Sequence, residues 1–271
     1  MKHIIWTFFL SLFILRAHAQ QLEDSLQITV AVEDLDLVSL DNWGNIFYSN
    51  TKGNVFKLDA SGKITNHYSP PFQGRFDQLD ASATMVLFLF SADLQQVTLL
   101  DSHLAPIQQI SFEKETVGMV TAAAMGNGNI FWLFDEVDLA LKKYDYRGGE
   151  IVQVQPLAPL LGGDQIQVTE IQESQNLVFV NIKDRGLFVF DNHANLIRKH
   201  DILLDQQLTV FQDHLYFIEG DYIHRLNIYS GEKTMLKSPG ATGVGVTVSP
   251  QRLVIYSSDS LSILSIPDSH L

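Results

Sequence analysis

The sequence predicts an all-β protein of six four-stranded antiparallel units, on three observations. Six short apolar runs recur, at residues 46–48, 86–90, 130–134, 177–180, 215–218 and 253–256. Each is strand-length and lacks alternation, as in strands covered on both faces. Each is followed by a few turn-type residues and a second, alternating strand, at 54–59, 95–101, 139–145, 186–191, 222–227 and 261–265. The second strands end in Asp59, Asp101, Asp145, Asp191, Asn227 and Ser265, spaced by 42, 44, 46, 36 and 38 residues. A period near 40 with four strands per unit is that of a β-propeller.

The first copy is the clearest. GNIFYSNTKGNVFKLDASGKITNHY, residues 44–68, reads as a strand at 46–48, a polar turn at 50–54, an alternating strand ending in Asp59, a glycine turn and a third strand at 63–68. Short polar side chains at the Asp59 position hydrogen-bond the backbone two residues on and start the turn. Gly62, Gly148 and Gly231 follow in three copies, where a left-handed residue closes the hairpin. The last copy runs out at Ile266-Pro267 with three strands, whereas QITVAV (27–32) is surplus ahead of the 34–40 segment that starts the first copy. The surplus strand is expected to pair beside 261–265 and close the ring, because an open ring leaves two edges with unpaired backbone groups. Short strands at even spacing also serve a β-sandwich. No stretch shows a helical period, so the N-terminal leader is the only helix expected.

That leader is residues 1–19. Lys2 and His3 precede an apolar run, 4–15, which ends in Ala17-His18-Ala19, a small-x-small cleavage pattern. Cleavage is expected before Gln20, leaving 20–271 as a single propeller domain. As a helix the run spans only about 18 Å, short of the roughly 30 Å hydrocarbon core of a bilayer. No cysteine at the cleavage site offers lipid attachment, and no later run approaches a membrane span. The expectation is export to the periplasm or cell envelope.

Of the 271 residues 46% are hydrophobic and 18% charged, enough to bury a sizeable core. With no cysteine, disulfides, thiol chemistry and cysteine-ligated zinc are excluded. Losing Lys2 and Arg16 with the leader takes the 18 basic residues to 16 against 31 acidic ones, a net charge of −15. Nucleic acid is thereby disfavoured as a partner, since phosphate binding needs a basic footprint.

The repeat DNWGNIFYSNTKGNVFKLDASGK in the first copy resembles the D-x-x-G-N-I-Y…V-x-x-φ-D-x-x-G pattern of NHL-like blades. On it the chain resembles the six-bladed β-propellers of exported bacterial proteins, the broad group of NHL-repeat and TolB-type domains. Later copies keep only the strand pattern, and the dipeptides that mark WD-repeat blades are absent. Some six-bladed propellers are calcium-dependent lactonases, with Glu, Asn and Asp converging on the axis. The resemblance therefore implies a metal-dependent hydrolase as an alternative, with Asp36, Asp77, Asp80 and Glu170 as inner-strand candidates.

Motifs that carry chemistry are otherwise missing. The nine histidines stand singly, without a ligand pair such as H-E-x-x-H. No G-x-S-x-G is present. The glycine-dense stretch 240–245 is followed by a strand and Pro250, where a dinucleotide site needs a helix. These glycines, like Ala122–Ala124, are expected on inner strands where blades crowd. No cofactor or metal is expected.

Acid is concentrated in the turns after the six apolar runs: Asp93; Asp135, Glu136 and Asp138; Asp184; Glu219 and Asp221; and Asp259. These turns share one face of a propeller with the blade-to-blade connections. The longest connection, 156–164, carries Leu157, Leu160 and Leu161, an apolar contact patch or a plug over the channel. Asp135, Glu136, Asp138, Asp184, Glu219, Leu157, Leu160 and Leu161 are accordingly expected to form the face that binds a protein partner in the envelope. The acids are read as exposed turn residues whose neutralisation leaves stability unchanged, and the chain alone as a monomer.

Overall fold

The computed structural model describes residues 27–59, 61–71, 74–163, 165–236 and 243–265. The leader, its cleavage site and Asp164 lie outside these residues. Six four-stranded antiparallel sheets succeed one another around an axis, and five of them run in chain order from inner to outer strand. Their inner strands are Leu35–Leu40, Gln78–Asp80, Val120–Met125, Val168–Ser174, Val210–Phe211 and Gly245–Val248. The sixth blade takes its outer strand from the other end of the chain. Gln27–Ala31 pairs with Ser260–Ser265, Gln27 opposite Leu264 and Ala31 opposite Ser260. The N-terminal strand thus closes the ring, as the surplus strand predicts.

The unbroken apolar runs follow from the packing. Each sheet is covered on both faces by neighbouring blades, so alternate side chains enter different clusters. Phe131 and Leu133 pack toward blade two, while Trp132 and Phe134 pack toward blade four. Among the described residues the core divides into six clusters, one per blade interface. Lysines reinforce two interfaces. Lys57 Nζ donates to the Ser102 carbonyl at 2.9 Å and Lys143 Nζ to the Asn192 carbonyl at 2.9 Å, each over an aromatic ring of its own blade, Phe47 and Trp132.

Where an aspartate ends the third strand of a blade, it acts as the turn former expected. Asp59 Oδ1 accepts from the N–H groups of Ser61 and Lys63, Asp101 Oδ1 from His103 and Ala105, and Asp191 Oδ1 from His193 and Asn195. Crowding near the axis is also visible. A Cβ on Gly245 would lie 2.3 Å from the Tyr256 ring. Two single-turn helices, Lys114–Val117 and Ala158–Leu161, lie in blade-to-blade connections and correct the expectation of no helix after the leader. Four residues carry too little of a 3.6-residue period to be read from sequence.

The turns joining second to third strands, with the blade-to-blade connections, form one face of the disc, here the loop face. The remaining hairpin turns form the opposite, hairpin face.

A variant beginning at Asp34 lacks the closing strand and leaves every other blade intact. Losing its ladder and the partly buried Ile28 and Val30 should cost roughly 3 kcal/mol or more, hence about 10 °C in melting temperature for a chain of this size. Thermal denaturation by circular dichroism reads this directly, and unchanged melting would show that the strand does not hold the ring shut.

Candidate functional site

The structure separates the expected partner-face residues into two kinds. Asp135 is not a surface acid, since its side chain is 1% exposed and its Oδ2 meets Lys142 Nζ at 2.6 Å. Its Oδ1 accepts from the N–H groups of Met119 and Val137, both at 3.0 Å. Burial alone would raise this carboxyl, but the Lys142 ammonium and the two backbone donors hold it below its ordinary range. Burial likewise works against the Lys142 charge, and Asp135 and Asp138 outweigh it and raise the ammonium's pKa. Gly118, at φ +92°, leaves room for the Asp135 carboxylate, which a Cβ there would meet at 2.1 Å. The expectation of an exposed turn acid fails because this aspartate caps the chain where two blades join.

Leu157 is likewise fully buried, among Trp132, Phe134 and Phe188 between blades three and four. Its N–H donates to the Leu139 carbonyl at 2.8 Å, which ties the long connection to the Asp135 turn. Leu160 is 42% exposed. With Leu161, Asp184, Arg185 and Leu203 it lines an open groove of about 780 Å³ on blade four. Arg185 folds this rim by donating to the carbonyls of Leu161, Gly162 and Gln165. Glu136 and Asp138 are exposed, and Asp138 shares Lys142 at 2.7 Å. Glu219 stands apart on blade five, hydrogen-bonded by Lys233 at 2.6 Å, which keeps its carboxyl below the ordinary range.

The plug over the channel is not the 156–164 connection but the next one. Residues 201–209, between blades four and five, bond to four blades around the axis. Asn181 Nδ2 donates to the Leu204 carbonyl at 2.9 Å. Gln206 exchanges two bonds of 2.8 Å with the Ile218 backbone. Gln207 Oε1 accepts from Val38 N at 2.8 Å and from the Tyr256 hydroxyl at 3.2 Å. Leu208 N donates to Glu170 Oε2 at 2.7 Å, and Thr209 Oγ1 to the Val246 carbonyl at 2.7 Å. The sequence carries one trace of this: the 36-residue spacing across blade five is the shortest, and its inner strand is only Val210–Phe211.

Two cavities remain, one on each side of the plug. That on the hairpin face is about 410 Å³ and includes Asp80. That on the loop face is about 400 Å³ and includes Arg75, Asp77, Glu170, Asn181 and Lys183. The four inner carboxylates do not converge. Asp36 makes a two-bond pair with Arg75, at 2.9 and 3.1 Å. Asp77 accepts from Ala92 N at 2.7 Å and Asp80 from Ser82 N at 2.8 Å. Glu170 accepts from Leu208 N and from Gln78 Nε2 at 3.3 Å. Among the described residues no three His, Asp or Glu side chains gather as a metal-binding group. Burial pushes the Glu170 carboxyl up to about 8, with the Asp80 charge adding to the shift. At neutral pH it is therefore largely uncharged.

No family model matches the chain, and comparison with curated proteins finds no match. Solved structures do resemble it. Streptogramin B lyase aligns over 92% of this chain and 100% of that one, with a TM-score of 0.64 and 12% identity. The WD40 domain of Neurospora crassa Pan2 aligns over 92% and 97%, at 0.63 and 10%. BamB from Moraxella catarrhalis aligns over 85% and 84%, at 0.50 and 14%. At these identities the likeness is of fold, a propeller.

Asp135→Asn removes the buried carboxylate from Lys142 and leaves it only the exposed Asp138, so urea denaturation should register a loss of about 2 kcal/mol. Glu136→Gln in the same turn should stay within about 0.5 kcal/mol. Equal effects would mean that the buried pair is not a support of the blade junction.

Glu170 links stability to pH. Its carboxyl titrates near 8 when folded against 4.5 ordinarily, so between these values the folded chain holds a proton that the unfolded chain has lost. Stability must then fall as pH rises through this window, by up to about 1.4 kcal/mol per unit. Glu170→Gln removes this slope, and parallel melting curves for the two proteins across the window would contradict a buried, neutral Glu170.

Proposed function

We propose that this chain is an exported, non-catalytic propeller that binds a protein partner in the bacterial cell envelope through its loop face. One observation carries the reading: an open groove lined by Leu160, Leu161, Phe188, Leu196 and Leu203 also carries Asp184, Asp201, Arg185 and Lys199, and its Leu157–Leu161 connection is tied through the Leu139 carbonyl to the turn that holds the exposed acids Glu136 and Asp138. Leu203 is 66% exposed and Val137, between the two acids of the neighbouring turn, 68%. Exposed apolar surface rimmed by charge is the pattern of a docking site, with an apolar centre giving affinity and charges giving orientation and rate. The leader supports export, and among the described residues no helix is long and apolar enough to cross a membrane. The NHL/TolB-like repeat and the likeness to BamB and to a WD40 domain agree with a binding module.

A second reading, a hydrolase or lactonase-like enzyme at the axis, draws on Glu170. A carboxyl titrating near 8 in a cavity that Arg75 and Lys183 also line suits acid–base chemistry. Streptogramin B lyase bears an enzyme's name on a similar fold. Against it, Asp36, Asp77 and Glu170 are each engaged by a partner of their own.

The test is capture of partners from the producing organism's envelope by the tagged mature protein, then binding kinetics with the partner identified. Glu136→Gln with Asp138→Asn and Asp184→Asn should slow association and flatten its salt dependence. Leu160→Ser with Leu161→Ser should mainly speed dissociation. Asp135 and Leu157 stay unaltered because they hold the blades. Capture that survives both sets of substitutions places the partner elsewhere.

A further inference from the structure

The cavity on the hairpin face, about 410 Å³, is a different site from the loop-face groove. Its wall takes a polar residue from every blade in turn: Ser39, Asp80, Asn127, Gln172, Gln212 and Thr247. Leu208 of the plug closes its inner end, so it is a blind pocket and not a through-channel. Neither Lys, Arg nor His is among its lining residues.

Two carboxylates reach it, and they are in different states. Both oxygens of Glu173 are taken, one by Trp132 Nε1 and one by Asn127 Nδ2. Asp80 accepts only from Ser82, and among the described residues no cation acts on it. The ionisable group it does meet is the Glu170 carboxyl, which is largely uncharged at neutral pH and supplies no counter-charge. Asp80 is partly buried, and burial without a counter-charge raises its carboxyl above the ordinary range; a bound cation would offset that cost and favour the carboxylate. The wall holds a second unmet group, Ser249, which is 2% exposed with no partner for its Oγ among the described residues.

The volume decides which cation. It exceeds what a bare ion fills and falls at the small end of ligand pockets, where a molecule of one or two sugar rings fits. The ring of hydroxyl and amide groups suits a ligand rich in hydroxyls, with Phe211 and Val210 offering an apolar side. We propose that this pocket binds a small hydroxylated organic ammonium ion, an amino sugar of one or two rings, with its ammonium at Asp80 and its hydroxyls on the side chains contributed by the other blades. This assigns the disc a small-molecule site on the side opposite the partner face, and neither site requires the other.

Calorimetric titration of the mature protein with glucosamine, glucose and glucuronate tests it, since the three share a ring and differ in charge. Glucosamine should bind, glucose should bind at least about tenfold more weakly, and glucuronate should not bind measurably. Asp80→Asn should bring glucosamine down to the level of glucose while leaving the glucose affinity in place. No heat with glucosamine, equal affinity for the three sugars, or a folded Asp80→Asn protein that binds glucosamine as before would each overturn the proposal. The comparison of sugars on the unaltered protein decides the matter even if Asp80→Asn fails to fold.

Discussion

Ring closure is the constraint on which this structure depends. A four-stranded sheet has two faces to bury, and in a disc each face can be buried only by the next sheet. Six interfaces must therefore be filled at once, and the last of them, between blades six and one, exists only if the sheet of blade six is completed. The strand Gln27–Ala31 does this, and it brings Ile28 and Val30 against Val254, Leu261 and Ile263 in the sixth cluster. Both ends of the described chain thereby meet in one blade, so loosening the ring at this point requires breaking a full antiparallel ladder.

Closure in turn decides what happens at the axis. Six inner strands converge there, and their inward side chains must be small, engaged or accompanied. Gly245 against Tyr256 is the first solution, the Asp36–Arg75 pair the second, and the plug the third. The plug exists because blade five has almost no inner strand of its own. A connection that would otherwise cross the loop face instead fills the centre and supplies Gln206, Gln207 and Leu208 to backbone and side-chain groups of the surrounding blades. Glu170 lies against the plug, accepting from Leu208 N, and burial leaves it largely uncharged near pH 7. The same plug divides what would be one channel into two cavities, one on each side of it.

The acids of the loop face show how one residue type takes two roles in adjacent positions. Asp135 and Glu136 are neighbours in sequence, yet the first faces inward to cap Met119 and Val137 and hold Lys142, and the second faces solvent. A buried carboxylate of this kind is a structural support, and a change there would disturb binding only by disturbing the blade. The exposed acidic surface of the loop face is correspondingly smaller than the acid count suggests.

The sequence by itself determined the architecture: the blade number, the four-strand unit, the turn-forming aspartates and the strand that closes the ring. These are local or periodic properties, set by side-chain spacing and by the turn chemistry of Asp, Asn and Gly, so they can be read without knowing what touches what. That Glu136, Asp138 and Leu160 are exposed was legible for the same reason. What only the tertiary structure decided is the state of individual polar and apolar groups. That Asp135 is buried against Lys142, that Leu157 lies between two blades, that Asp80 meets no cation among the described residues and that residues 201–209 fill the axis all depend on how the blades pack in space. Burial and charge pairing are properties of neighbours in space, and a periodic pattern names the strand on which a residue sits without naming those neighbours.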